Sequence, residues 1–508
     1  MAAQRRAAEK GIIVSTTMND SQIPPPDGAG GNQLVFRKGR WIDGWNPEDT
    51  EQWEREGHKL ANRNLSFSIY AEFLGFMVWQ LWSIVAVQLQ VAKDGNAGPY
   101  GFAFTSSEVF WLISLPSLVG ATLRFPYTFA ISWFGGRNWT IISAGLLLIP
   151  TTCMAFAISN HPINGVGGTP YGVMLFVAAL GGFGGGNFAS SMANITFFYP
   201  QRMKGWALGL NAAGGNIGVA VSQFSVPILI SVTAGVVTGI GKPDEIVKNL
   251  PIAAWFWIPF IILAIIGAVM FMNNLSSAKA DTSAYAAAFK EPHLWLLSFL
   301  YIGTFGSFIG LGGVFPKLIN DIFPTYNTPI KIGTAMIALA FLGPLVGSLS
   351  RPYGGKLADR FGGAIITVIA FLVMAVGTVA VILSLSVATP NFWVFLGCFL
   401  IIFVMTGVGN GSMYRMIPTV FAYKDGQMEA ATKSAGIATV RKTSAALGIV
   451  SAFGAYGGFA VPQLFNVSKS VYGDYIHVLW WFMAGYLVFL AITVVAYIIP
   501  YARKGTRV

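Results

Sequence analysis

"LVGATLR" ends at Arg124 and "LVGSLSR" at Arg351, and ten residues after each arginine comes "FGG", at Phe134–Gly136 and Phe361–Gly363. Both arginines lie in apolar sequence. There a guanidinium costs about 2.5–3.5 kcal/mol even on the lenient insertion scale, which makes it a functional candidate. Its planar fork donates two parallel hydrogen bonds, the geometry that a planar oxyanion accepts. Glu72 is the only good candidate acid to oppose the pair, since Glu108 falls at the edge of its apolar run. Two arginines in one local frame with no evident counter-charge describe a site for a small anion. Arg415, near the end of another run, reads instead as a snorkelling residue or half of a structural ion pair.

Embedded amides are the next candidates. "GGFGGGNFASSMANITFFYP" (181–200) and "GLNAAGGNIG" (209–218) hold Asn187, Asn194 and Asn216 among small residues. The glycines serve close helix packing. The amides are different: each needs a partner in the backbone, a neighbour or a substrate, because an unpaired buried amide is unfavourable. Cys153 and Cys398, both in apolar runs, read as packing residues. With no nucleophile–base or metal constellation, an enzyme is not expected, and neither is a metal or cofactor.

The elements that must hold these residues are membrane helices. The 508 residues are 54% hydrophobic and only 10% charged, against about 25% charged in a soluble chain. From residue 66 onward there are twelve candidate spans of roughly 20 or more residues, approximately 66–91, 108–134, 139–159, 171–198, 206–232, 252–272, 294–319, 332–355, 364–386, 392–421, 443–465 and 477–500. Of the 32 Lys and Arg, 23 fall in the N-terminal tail, the even-numbered loops and the C-terminal tail, six in the odd-numbered loops and three inside spans. That bias places both termini in the cytoplasm. It also explains the net charge of +11 without nucleic acid as a partner.

Residues 1–65 form the N-terminal tail, 66–272 and 294–500 two six-helix bundles, 273–293 their cytoplasmic connector and 501–508 the C-terminal tail. "IPPPDGAGGNQ" (23–33) is too rich in Pro and Gly to fold alone. The later part of the tail reads as a short helix with Asn46 as N-cap, lying on the membrane surface or docked as a cap. "YKDGQMEAATKSAGIATVRK" (423–442) reads as a polar, solvated helix. Arg124 and Arg351 occupy the second span of each half, so a parallel repeat sets them across a central cavity.

At "GGGNFASSMANITFFYP", "ALGLNAAGGNIG", "LYIGTFGSFIG" and the "DRFGG" that follows Arg351, the chain resembles the nitrate/nitrite porter family of the major facilitator superfamily. The tail "WNPEDTEQWEREGHKLANRNL" resembles that of bacterial nitrate/nitrite exchangers, and the likeness runs from about residue 41 to 500. It implies an all-α fold of twelve transmembrane helices and alternating access around a central site. Nitrate and nitrite are the implied substrates, in an inner membrane, for a chain acting as a monomer. Residue by residue, it implies that Arg124 and Arg351 grip the anion. Phe188 and Phe305 would sandwich it, and Asn216 and Tyr301 would bond its edge. Asp359 and Arg360 would brace the cytoplasmic gate.

Departures from the family pattern are the glycine without asparagine in "SAFGAYGGFAVP", Asn410 and Arg415 in "GVGNGSMYRMIP", and Glu72. They bear on coupling: nitrate/nitrite exchange is the first expectation, proton-coupled nitrate symport through Glu72 the second. A carrier for another small anion and a transporter-like sensor remain as rivals. The tail carries no recognisable kinase or DNA-binding motif.

Overall fold

The computed structural model describes residues 34–92, 95–98, 100–162, 167–233, 249–278, 282–424 and 437–502. The Pro- and Gly-rich 23–33 stretch and the 425–436 part of the polar connector lie outside the described residues.

Long helices dominate because a backbone in lipid must satisfy its own hydrogen bonds. Eleven among the described residues are long and apolar enough to cross a membrane by length and composition. They are Thr50–Leu89 (α1), Ser106–Phe134 (α2), Gly136–Ser159 (α3), Tyr171–Phe198 (α4), Gln201–Val232 (α5), Ile252–Phe271 (α6), Pro292–Ile322 (α7), Gly363–Leu385, Phe392–Tyr423, Ala445–Tyr472 and Ile476–Tyr501. Between α7 and Gly363 lies one more helix, Leu342–Phe361 (α8). It fails the apolar criterion because it carries Arg351, Lys356, Asp359 and Arg360. The last four apolar helices are accordingly α9 to α12. Helices α1–α6 pack mainly on one another, as do α7–α12, and the two groups meet along α5–α8 and α2–α11.

The repeated "FGG" is a helix break used twice. Phe134 ends α2 and Phe361 ends α8, while Gly135 (φ +84°, ψ 153°) and Gly362 (φ +96°, ψ 139°) turn the chain. Gly136 and Gly363 then open the next helices. The turning conformation is essentially restricted to glycine, which explains why the motif recurs where each arginine helix must stop. Glu108 also has a local role. Its carboxylate accepts from the Thr105 N–H at 2.8 Å and the Thr105 hydroxyl accepts from the Glu108 N–H, a capping box that starts α2.

Three expectations are corrected. The helix after the tail begins at Thr50, capped by Asp49, whose carboxylate accepts from the Gln52 N–H at 3.1 Å. Asn46 instead closes a local turn, accepting from the Glu48 N–H at 3.2 Å. That helix continues into the first apolar span, so the expected short helix of the tail is not a separate element. The expected helix over 332–355 starts only at Leu342, after a hairpin of Ile330–Ile332 and Ala335–Ile337. Gly333, at φ +60°, supplies its turn, and the β-branched isoleucines on either side suit an extended chain.

The tail is docked. Strands β1 (Val35–Arg37) and β2 (Trp41–Asp43) pair antiparallel, and β2 pairs in parallel with β3 (Asn274–Leu275) just after α6. The Trp45 indole donates to the Phe197 carbonyl at 3.0 Å, and the Gln201 N–H donates to Glu48 at 2.7 Å.

Candidate functional site

Close packing is what exposes the acceptors for Arg124. A Cβ at Gly184 would lie 2.1 Å from the Gly75 carbonyl oxygen, and one at Gly185 would lie 2.4 Å from the Trp79 ring. Only glycine lets α4 approach α1 so closely, and the same approach presents the Gly185 carbonyl to α2. Arg124, fully buried, donates through Nε to that carbonyl at 3.0 Å and through Nη1 to the Ser451 carbonyl of α11 at 2.7 Å. Its Nη2 is buried with no hydrogen-bond partner among the described residues.

Arg351 approaches from α8. It is 3% exposed, and its Nη2 donates to the Tyr301 hydroxyl at 3.4 Å while Nη1 has no hydrogen-bond partner among the described residues. Tyr301 sits immediately before a π-helical turn at Ile302–Gly306 that contains Phe305. Such turns recur at functional positions because they re-aim side chains within a helix. Here the turn leaves the two rings stacked at 5.3 Å and 9°.

The arginines share aromatic walls. The Arg124 guanidinium carbon is 4.6 Å from the Phe188 ring centre and 5.2 Å from that of Phe305. For Arg351 the distances are 5.8 and 6.0 Å. Cation–π attraction therefore replaces part of the lost hydration of both charges. Arg124, Arg351, Phe188, Tyr301 and Phe305 are thus brought together from four helices.

One sequence expectation changes here. Phe188 and Phe305 stack on each other with centres 6.0 Å apart and planes 26° apart. A flat anion between them needs about 7 Å, two contact distances of roughly 3.5 Å. In this conformation the rings back the guanidiniums and leave no slot between themselves.

Asn216 is buried on α5, and among the described residues neither amide atom has a hydrogen-bond partner. No hydrogen bond joins it to the arginines among the described residues. The same holds for the side-chain amides of Asn194 and Asn410, whereas Asn187 accepts from the Ser190 hydroxyl at 3.1 Å. Glu72, fully buried on α1, is not ion-paired to either arginine among the described residues. Its Oε2 accepts from the Ser191 hydroxyl and from Asn211 Nδ2 (2.7 Å), and Ser68 lies 2.9 Å from Ser191. Its Oε1 has no hydrogen-bond partner among the described residues. Asp359 pairs with Arg415 across exposed ends of α8 and α10, and Arg360 lies over the Phe361 ring at 5.1 Å.

Sequence reasoning missed Tyr414 and Trp79. Tyr414, on α10, lies 4.7 Å from the Arg351 guanidinium and 5.6 Å from the Tyr301 ring. Trp79 lies 5.3 Å from that of Arg124. A tyrosine next to a charged residue in an apolar run was a readable signal, but Arg415 drew the attention. Nothing in the local sequence singles out Trp79.

Residues 69–462 match the family model of the Major Facilitator Superfamily. The chain is 38% identical over 465 residues to the nitrate/nitrite transporter NarU of Escherichia coli (strain K12), covering 89% of this chain and 95% of that one. It is 33% identical over 488 residues to the "Probable nitrate/nitrite antiporter NarK2" of Thermus thermophilus, covering 93% and 99%. Among solved structures, a partially occluded inward-open conformation of the xylose transporter XylE from E. coli superposes with a TM-score of 0.57, at 13% identity, over 85% of this chain and 97% of that one. That likeness concerns the fold alone. The chain belongs to the major facilitator superfamily and, within it, to the family of NarU- and NarK-type nitrate/nitrite transporters.

Proposed function

We propose that the chain moves nitrate and nitrite across a bacterial inner membrane by alternating access, as a one-for-one exchanger that acts as a monomer. One observation carries this reading. Two buried arginines share aromatic walls, and among the described residues each keeps one N–H group without a partner and no carboxylate is ion-paired with either. Closing a site around two cations without an ion-paired counter-charge is costly, by several kcal/mol per ion even after relaxation. A bound monovalent anion reduces that cost and satisfies the orphaned donors. Reorientation then requires an anion in both directions, which is exchange.

The names of the relatives support the substrates, and one of them is called an antiporter. In this reading α8 also crosses the membrane, giving twelve spans, because its charged residues are placed toward the anion site or at its cytoplasmic end. Both termini are cytoplasmic, as the Lys and Arg bias requires. Asp359, with Arg415, ties α8 to α10 at the cytoplasmic gate, with Arg360 beside it. Asn216 joins the site as the bundles move.

Proton-coupled nitrate symport is the second reading, favoured by one feature: Glu72 is a fully buried carboxyl with no cation paired to it. Counterflow in proteoliposomes separates the two. Under exchange, vesicles empty of anion take up little labelled nitrate, internal nitrite accelerates uptake strongly, and Glu72→Gln retains that acceleration. Proton-driven uptake into anion-free vesicles, abolished by Glu72→Gln, establishes symport instead.

A further inference from the structure

Lys317 is fully buried near the C-terminal end of α7, a costly position for an ammonium unless it is paired and bonded. Its Nζ lies 2.8 Å from Asp321 Oδ2, one turn further along the same helix. Tyr475, at the start of α12, donates to the same carboxylate oxygen. These three groups all belong to the second helix group. Among the described residues, the groups that bond to or pack on them from the first group are uncharged. Lys317 donates to Gln90 Oε1 at 2.7 Å, and its Nζ is 4.8 Å from the Phe110 ring centre. Gln90 Nε2 lies 3.4 Å from Asp321 Oδ1.

The location is specific. Gln90 follows the C-terminal end of α1 and Phe110 lies in the first turns of α2, so the cluster closes the seam at the end away from the N-terminal hairpin. Neutral hydrogen bonds continue that seam. Gln463 donates to the Ser114 hydroxyl at 2.7 Å, Asn466 to the Ser107 hydroxyl at 3.1 Å and Gln223 to the Gly312 carbonyl at 2.7 Å.

This division of charge has a mechanical consequence. Had Lys317 and its carboxylate come from opposite groups, parting them would strand two charges in a poorly solvated seam. With both on α7, the ion pair travels intact, and opening breaks only ion–dipole and ring contacts. We propose that Gln90, Lys317, Asp321 and Tyr475 form a latch that holds this mouth closed, and that Gln90 is the part that releases. The inference takes from the proposed function only that the two helix groups part, and it requires no particular substrate.

The test is thiol accessibility. Ser117 is buried in the seam, its hydroxyl 2.8 Å from where a Cβ on Gly458 of α11 would lie. In a background with Cys153→Ser and Cys398→Ser, Ser117→Cys is exposed to a membrane-impermeant maleimide on the side opposite the termini. Adding Gln90→Leu should speed labelling about tenfold, as expected for losing a hydrogen bond to a charged group. Gln90→Met, closer in shape, should do the same and carries the test if the leucine variant inserts poorly. Tyr486→Phe loses a bond to the Ser307 hydroxyl within the second group and should label at the parental rate. Parental labelling in the inserted Gln90 variants overturns the latch, as does equal acceleration by Tyr486→Phe. Labelling needs no nitrate, so a failure of the transport reading is recognised separately.

Discussion

Arg124 and Arg351 occupy the same frame of a repeated sequence, yet their surroundings differ. Arg124 is anchored by two carbonyl oxygens, one from each helix group, with Trp79, Phe188 and Phe305 around it. Arg351 has one long bond, to a tyrosine hydroxyl, and rests against Tyr414. A sequence repeat has therefore produced one anchored and one loosely held cation. The anchored one also ties the two groups together through Ser451, and under the proposed function the loose one is the arginine free to follow the anion.

The largest effect expected is from Arg124→Lys and Arg351→Lys, each lowering nitrate/nitrite counterflow roughly a hundredfold or more, since a point charge cannot replace the fork. Stability should then separate them. Arg124→Lys loses two charge-assisted bonds of about 1.5–3 kcal/mol each and should melt earlier in detergent, whereas Arg351→Lys should melt near the parent. Equal melting of the two would remove the asymmetry.

Glycine neighbours give the next contrast. A Cβ at Gly411 would lie 2.1 Å from the Arg351 carbonyl oxygen, so Gly411→Ala must move the backbone of α8; at Gly185 the obstacle is the Trp79 ring. Both substitutions should cost about 1–3 kcal/mol by thermal denaturation, Gly411→Ala the more. Tyr301→Phe, removing the only side-chain hydrogen bond to Arg351 among the described residues, should weaken nitrate binding about tenfold by calorimetry and leave melting little changed.

The exposed Asp359–Arg415 pair should contribute less than about 1 kcal/mol, read from melting of Asp359→Ala. Smallest is the tail. Arg37, hydrogen-bonded to Asp43, holds that carboxyl below its ordinary value. Its stabilisation of hairpin docking is present above the unfolded value of about 3.9 and is lost as pH falls through the lower folded value. Protease protection of the tail should decline over that acidic window, and Asp43→Asn should remove the dependence.

Much of this protein could be read from residue order. Apolar runs long enough to cross lipid produce helices, because a backbone there has no other partner, and eleven were legible on that basis. The helix with Arg351 was placed early, since its hairpin and its charged end confused a reading by composition. Arg124 and Arg351 stand out in the sequence because a charge in lipid is too costly to be idle, whereas Phe188, Tyr301 and Phe305 are proposed from the family resemblance. Three-dimensional packing decided the rest. It set Phe188 against Phe305 with no room between them, brought Tyr414 and Trp79 to the guanidiniums, and kept Glu72 with Ser191 and Asn211. It also set Lys317 against Gln90. Each of these depends on how two helices far apart in sequence approach one another, and local periodicity carries no information about that distance.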